Sequence, residues 1–202
     1  MKKYYMLTIV SLFIFCSNAS AQTIFSDSFD TNAKPVWGNE IGKWVASGGV
    51  YYATEPGNSP VAYSSIITQK NLRDFTVKID IKNCQDGGIF LRSVKCKDNN
   101  VSGVLLVTLG SSNQLYWHIV SCEIVGPIEN SVTIPDLKGS TIHLKIVVSG
   151  NTYSVYLNDK SKPVTTLTTD KFSNGSIALY SNSSQSFDNI IISKMKKKNV
   201  AK

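Results

Sequence analysis

The run DFTVKIDIKNCQDGGIFLR, residues 74–92, constrains the fold more than any other stretch of the sequence. Apolar residues at 75, 77, 79 and 81 alternate with polar ones, which is the period of a β-strand with one buried and one exposed face. Polar turn formers and two glycines occupy residues 83–88, and a second, more apolar strand begins at residue 89. The run therefore predicts two strands joined by a turn, a β-hairpin.

The rest of the chain repeats this pattern of short strands and turns. About twelve or thirteen strand-like segments follow one another at spacings of roughly 8–12 residues, and none shows a helical period with caps. The first and last segments should pair, because Phe25 and Phe29 give one an apolar side and Ile190 and Ile192 give the other. We predict an all-β, two-sheet antiparallel β-sandwich that spans residues 22–193.

The N-terminus has the form of a secretion signal. Two lysines precede the apolar residues 4–15, which are too few to span a bilayer, and Ala19-Ser20-Ala21 is a small-x-small cleavage site. Residues 1–21 are thus predicted to be a signal peptide that exports the chain, making it secreted or periplasmic. No later stretch is long and apolar enough to predict a transmembrane segment.

The formal charge of +7 arises at the two ends of the chain. Lys2 and Lys3 belong to the signal, and residues 194–202 form a tail with five lysines and no acid. Removing these seven from the 21 basic residues leaves 14, which equals the 14 acidic residues. The domain itself is neutral, so its charge does not predict a nucleic-acid partner. The tail could touch an acidic surface or be a solvated terminus.

Three cysteines follow the signal: Cys84, Cys96 and Cys122. In a hairpin, Cys84 lies at the turn and Cys96 at the far end, roughly 25 Å away, which is too far for a bridge. Cys122 ends a strand at the same end as Cys96. We favour a Cys96–Cys122 disulfide with Cys84 free, and three unpaired thiols are the alternative.

Five pieces of the sequence resemble concanavalin A-like, laminin-G-like jelly rolls in their order along the chain: IFSDSFD, W…GKWVASGGVYY, DFTVKIDIK…GGIFLR, LKIVVSGNTYSVYLND and NGSIALYS…SFDNIIIS. The resemblance implies a curved sandwich whose concave face often binds glycans. GGIFLR and the G-x-W opening also look like the bacterial 3-keto-disaccharide hydrolase domain. That domain carries acidic and amide side chains on the strand after its Arg, whereas residues 104–108, VLLVT, are nearly all apolar here. The departure argues against hydrolase chemistry.

The sequence offers little else for catalysis. Glycoside hydrolysis needs two carboxylates about 5 to 9.5 Å apart, and none of the four glutamates shares a strand with another acid at alternating spacing. His118 and His143 lie outside any nucleophile-elbow motif, and no His or Cys pair has zinc-ligand spacing. We therefore favour a protein that is not an enzyme.

A glycan-binding site is a more specific hypothesis than any catalytic site. Alternation puts Phe90 and Arg92 on one face of their strand, and Tyr116 and His118 on the open face of a strand nearby. Aromatic rings stack on the apolar faces of sugars while fixed donors bind the hydroxyls. Trp37, in a proline-containing loop, could add a platform at the rim. The alternative is structural: Arg92 pairs with an acid and Tyr116 only covers the sheet.

Calcium is a further hypothesis. Asp27, Asp30 and Asp188 lie near the two ends of the domain and converge if the terminal strands pair. Oxygen ligands of this kind suit Ca²⁺, and the jelly-roll resemblance implies a structural calcium near such positions in some relatives. The alternative is that these side chains cap turns. Apart from this calcium, no cofactor is predicted.

Three functions follow in order of preference. The first is a non-catalytic, lectin-like carbohydrate-binding domain. The second is a hydrolase or lyase of the 3-keto-disaccharide type that uses the face around Arg92. The third is an adhesion or envelope module that binds protein.

Overall fold

The computed structural model describes residues 22–67, 71–122 and 124–195. The predicted signal peptide and residues 196–202 of the basic tail lie outside this part. Two short 3₁₀ helices, Lys97–Asn99 and Gly110–Ser112, accompany fifteen strands, and no helix in the described ranges has the length and apolarity to cross a membrane. The strands are β1 (Gln22–Asp27), β2 (Trp44–Ser47), β3 (Val50–Ala53), β4 (Tyr63–Ser65), β5 (Phe75–Lys82), β6 (Asp86–Lys95), β7 (Val101–Leu109), β8 (Gln114–Ser121), β9 (Ile124–Val125), β10 (Glu129–Thr133), β11 (Ile142–Ser149), β12 (Thr152–Leu157), β13 (Thr165–Thr168), β14 (Ser176–Ser181) and β15 (Ser186–Lys194).

The strands form two antiparallel sheets. The eight-stranded sheet has the order β13-β12-β11-β5-β15-β3-β2, with β1 paired to β15. The seven-stranded sheet has the order β10-β8-β7-β6-β14-β4, with β9 paired to β8. The predicted two-sheet antiparallel sandwich is confirmed, as is the pairing of the first and last strands. β9 and β10 lie in the proline-containing segment between β8 and β11.

The predicted hairpin of residues 74–92 is wrong. β5 pairs with β11 and β15, whereas β6 pairs with β7 and β14, so the polar turn between them crosses from one sheet to the other. Both strands bury one apolar face in the shared core, and alternation alone cannot distinguish a hairpin from such a crossing. The turn still lies at the start of β6, so Cys84 and Cys96 remain at opposite ends of this strand, as the sequence predicts.

The main core lies between the two sheets. The alternating apolar residues of β5 are buried there, opposite residues of β6, β7 and β8. Trp117 on β8 is fully buried, and its indole Nε1 donates a hydrogen bond to Thr165 Oγ1 at 3.2 Å. Because the seven-stranded sheet faces this core on one side, alternate residues of its strands point to the outside.

A disulfide joins Cys96 and Cys122, with their Cα atoms 5.7 Å apart. This is the pair that the sequence favours, since Cys84 and Cys96 lie at opposite ends of β6. Cys84 is a free, fully buried thiol whose Sγ contacts Ile81 O. Burial raises the pKa of the Cys84 thiol from 9.0 to about 11, and hydrogen bonding with Ser140 offsets part of this rise.

The Cys84 thiol should make stability fall at alkaline pH. In the unfolded chain it ionises near pH 9, whereas in the folded chain it keeps its proton to about pH 11. Its contribution to the free energy of unfolding is therefore complete below pH 9 and is lost as the pH rises to 11. Chemical denaturation across this range should show a steeper decline for the wild type than for Cys84→Ala. Parallel curves would contradict the shifted pKa.

Candidate functional site

The outer face of the seven-stranded sheet, which points away from the main core, carries its own apolar cluster. The strand register aligns two rows of residues across this face. The tyrosine row is Tyr63, Tyr180, Gly88, Val107 and Tyr116, and the histidine row is Ser65, Ala178, Phe90, Leu105 and His118. Phe90, Tyr116 and His118 thus lie on one face, as alternation predicts. Tyr63 and Tyr180 belong to the same face but were not among the predicted site residues, although alternation in their strands could have indicated them.

Tyr116 and His118 lie side by side at one end of the two rows. Tyr116 is 8% exposed, and its ring meets that of half-buried His118 edge-on at a centroid distance of 5.2 Å. His118 Nδ1 lies 2.7 Å from the carbonyl oxygen of Gly126 and 3.1 Å from that of Pro127. Carbonyl oxygens only accept, so Nδ1 carries the proton and Nε2 of the neutral ring is an acceptor.

A carboxylate lies near two of the tyrosines. Burial raises the pKa of Tyr116, and the negative charge of Asp86 raises it further; the same two causes raise the pKa of Tyr180. Asp86 Oδ2 accepts a 2.8 Å hydrogen bond from the Asn182 amide, and the Tyr180 hydroxyl donates to Asn58 Oδ1 at 3.0 Å. Both phenols therefore stay protonated at neutral pH and can donate hydrogen bonds. Asp86 was not among the site residues predicted from the sequence, because it lies in the predicted turn of residues 83–88.

The prediction that Arg92 shares the outer face with Phe90 is wrong. Arg92 is the extra residue of a β-bulge in β6, with a φ of 50°, and this reverses the alternation. Its side chain is 1% exposed, and its guanidinium donates to the carbonyl oxygens of Arg73, Gly150 and Phe172. Arg92 holds three chain segments together inside the protein and is not available to a ligand on the outer face.

Trp37 is not a platform at the rim. It is buried among aromatic rings, with centroids 5.2 Å from Tyr51 and 5.8 Å from Phe29. Its indole Nε1 donates a 3.0 Å hydrogen bond to Asp27 Oδ2. The proline-containing loop that suggested an exposed position instead folds this side chain into the core.

The three aspartates proposed for calcium have other partners. Asp27 is buried and accepts from the Trp37 indole and two backbone N–H groups. Asp188 forms a 2.6 Å ion pair with Lys82, and Asp30 accepts from a neighbouring serine hydroxyl. No group of three or more His, Cys, Asp or Glu in the described ranges is arranged to hold a metal ion. Asp27 and Asp30 take the turn-capping role that the sequence left as the alternative, whereas Asp188 pairs with Lys82.

A comparison with protein-family models matches residues 21–193 to the 3-keto-alpha-glucoside-1,2-lyase-like domain. No curated protein matches the sequence.

Several solved structures share the sandwich. The carbohydrate-binding module CBM66 from Bacillus subtilis has a TM-score of 0.65 at 19% identity, covering 79% of this chain and 96% of that one. The exoplasmic/lumenal domain of VIP36, in its Ca²⁺/Man2-bound form, has a TM-score of 0.60 at 11% identity, covering 87% and 89%. The β-glucanase of Bacillus licheniformis has a TM-score of 0.57 at 11% identity, covering 88% and 100%. At these identities the likeness shows the fold, which is the concanavalin A-like jelly roll.

Proposed function

We propose that this chain, which belongs to the 3-keto-alpha-glucoside-1,2-lyase-like domain family, binds a glycan without cleaving it. The binding site lies on the outer face of the seven-stranded sheet. The observation that carries this proposal is the alignment of Tyr116 and His118 at one side of that face. Similar folds that include a carbohydrate-binding module and a lumenal domain in a Ca²⁺/Man2-bound form support it.

The chemistry of the surface around Tyr116 and His118 suits a sugar. Tyr116 belongs to the apolar cluster of this face, where an aromatic ring can pack against the C–H groups of a sugar, and burial raises the pKa of its hydroxyl so that it stays a donor. His118 Nε2 can accept from a sugar hydroxyl because Nδ1 is held by two carbonyl oxygens. An aromatic surface beside oriented polar atoms is the usual composition of a small-molecule site.

The two rows themselves favour binding over cleavage. None of their ten residues is acidic, and the central strand β7 presents Leu105 and Val107 to the outside. Asp86 lies near the tyrosines at one side. Glycoside hydrolysis with two carboxylates would need a second acid within about 9.5 Å of it.

The disulfide supports export as part of the same proposal. A Cys96–Cys122 bridge persists in an oxidising compartment, such as the periplasm or the extracellular space. A signal peptide at residues 1–21 would deliver the chain there, where glycans and polysaccharides are accessible.

Replacing Tyr116 with alanine should weaken glycan binding about tenfold or more, since the change removes both the stacking surface and a donor. A glycan array would identify ligands of the wild type, and calorimetry would give the affinities of both proteins. Tyr156→Ala, on the eight-stranded sheet, is the matched control and should bind like the wild type. An array with no bound glycan would refute the function. Unchanged affinity of Tyr116→Ala would refute the site.

The family match favours a second function, elimination from a 3-keto-α-glucoside. The ketone acidifies the C2 proton, which a base removes. A C1=C2 double bond then forms as the C1–O bond breaks, and the leaving oxygen takes up one proton, in net the one removed from C2, to give the free alcohol. His118 Nε2 is the candidate base because it is the unprotonated nitrogen. Incubation with a 3-keto-α-glucoside and detection of the released alcohol would test this. Turnover that His118→Gln abolishes would establish the lyase and exclude a purely binding role.

A further inference from the structure

A cleft separate from Tyr116 and His118 opens on the outer face, at the end of β6 opposite Asp86. Its volume is about 300 Å³, within the size range of small-ligand sites. Residues from β4, β6, β7 and β14 form its floor, and Glu40 and Ile67 form part of its wall. None of the residues predicted from sequence to bind a ligand lines this cleft.

Tyr63 is the most informative residue of the cleft. It is fully buried (0% exposed), and its hydroxyl has no hydrogen-bond partner in the described part of the chain. Burial and the nearby Glu40 carboxylate raise the pKa of this phenol, so it keeps its proton and can both donate and accept. A buried hydroxyl without a partner costs stability, and such groups are rare in folded proteins. A ligand that supplies the missing bond would explain it.

The other walls combine polar and apolar groups. The Glu40 carboxylate is held in place by the backbone N–H of Ser65, at 2.9 Å, and by the Ser65 hydroxyl. The exposed Lys95 side chain adds a positive charge to the lining. Val94 and Ile67 are 49% and 43% exposed, which leaves apolar surface at the mouth of the cleft.

We propose that this cleft binds one neutral, hexose-sized ring of the glycan, as a subsite separate from Tyr116 and His118. Glu40 and Lys95 would bind ring hydroxyls, Tyr63 would complete its hydrogen bond, and Val94 and Ile67 would cover the apolar C–H face. A neutral ring fits best because Glu40 and Lys95 carry opposite charges, which gives the cleft no net attraction for either an acidic or a basic sugar. The inference rests on the proposed glycan-binding function.

The two subsites are too far apart for one sugar ring. Tyr63 and Tyr116 are at opposite ends of the tyrosine row, four strand spacings or ~19 Å apart. A monosaccharide should therefore occupy the subsites independently, whereas a longer chain could engage both and gain affinity through effective concentration.

Titration with methyl α-glucoside, followed by backbone amide chemical shifts, tests the cleft directly. We expect shifts at Ser65, Ser93 and Lys95 in the wild type. Tyr63→Phe should weaken binding at these residues about three- to tenfold, the effect of losing one hydrogen bond. The thermal midpoint of Tyr63→Phe should not fall, because the substitution removes a buried hydroxyl that has no partner. Tyr52→Phe, on the eight-stranded sheet, is the control.

The outcomes separate the two proposals. Shifts at Tyr116 and His118 but none at the cleft would overturn the second subsite and leave the proposed function standing. If methyl α-glucoside causes shifts at the cleft but binds Tyr63→Phe as tightly as the wild type, the proposed role of the Tyr63 hydroxyl is overturned. Shifts confined to the cleft would support this inference and refute the site at Tyr116. Absence of any shift would overturn the subsite, while the glycan array decides the function separately.

Discussion

Replacing Arg92 with methionine is expected to lower the free energy of unfolding by about 3–5 kcal/mol. The guanidinium donates to the carbonyl oxygens of Arg73, Gly150 and Phe172 at 2.6 to 2.7 Å, and to the Tyr153 hydroxyl at 3.2 Å. Methionine fills most of the volume but leaves these buried acceptors without a donor. Desolvation of the unpaired carbonyls, rather than lost packing, is the main cost.

Chemical denaturation would measure this loss. Arg73→Met is the matched control, because the Arg73 side chain is exposed and only its backbone carbonyl takes part in the network. It should change the free energy of unfolding by about 0.5 kcal/mol or less. An Arg92→Met variant that is as stable as the Arg73→Met variant would show that the buried network contributes little.

Arg92 also shows why the site was only partly predictable. Alternation along a strand holds as long as each residue faces one partner, and Phe90, Tyr116 and His118 obey it. At Arg92 one extra residue enters β6, and the side chains beyond it change faces. An arginine at a φ of 50° gives no composition signal, since glycine or asparagine is the usual residue there.

The sheet crossing at residues 83–85 was hidden for a different reason. The alternation of β5 fixes which side of the strand is buried, and the structure agrees with it. It does not fix the neighbouring strand, because hairpins and sheet crossings both need a polar turn. Partner choice depends on contacts with β11, β14 and β15, which are distant in sequence.

The aspartates and Trp37 were misjudged because of local contacts that composition does not reveal. Asp27 lies beside a loop whose backbone N–H groups and Trp37 indole converge on its carboxylate. Once these donors are in place, the carboxylate is satisfied and the tryptophan is buried. A cluster of acids predicts calcium only where the donors of the chain itself do not occupy the oxygen atoms first.

Replacing Gly175 with alanine is expected to cost about 3 kcal/mol or more of folding stability. A Cβ there would overlap the Arg92 carbonyl carbon and would lie 2.5 Å from its oxygen and 2.7 Å from Ser93 O. These are backbone atoms, so only separation of β6 and β14 at the bulge could relieve the clash. Gly57→Ala is the control, since its Cβ would approach no atom closer than 3.5 Å. Equal unfolding midpoints for the two variants would mean that the strands can separate at the bulge without cost.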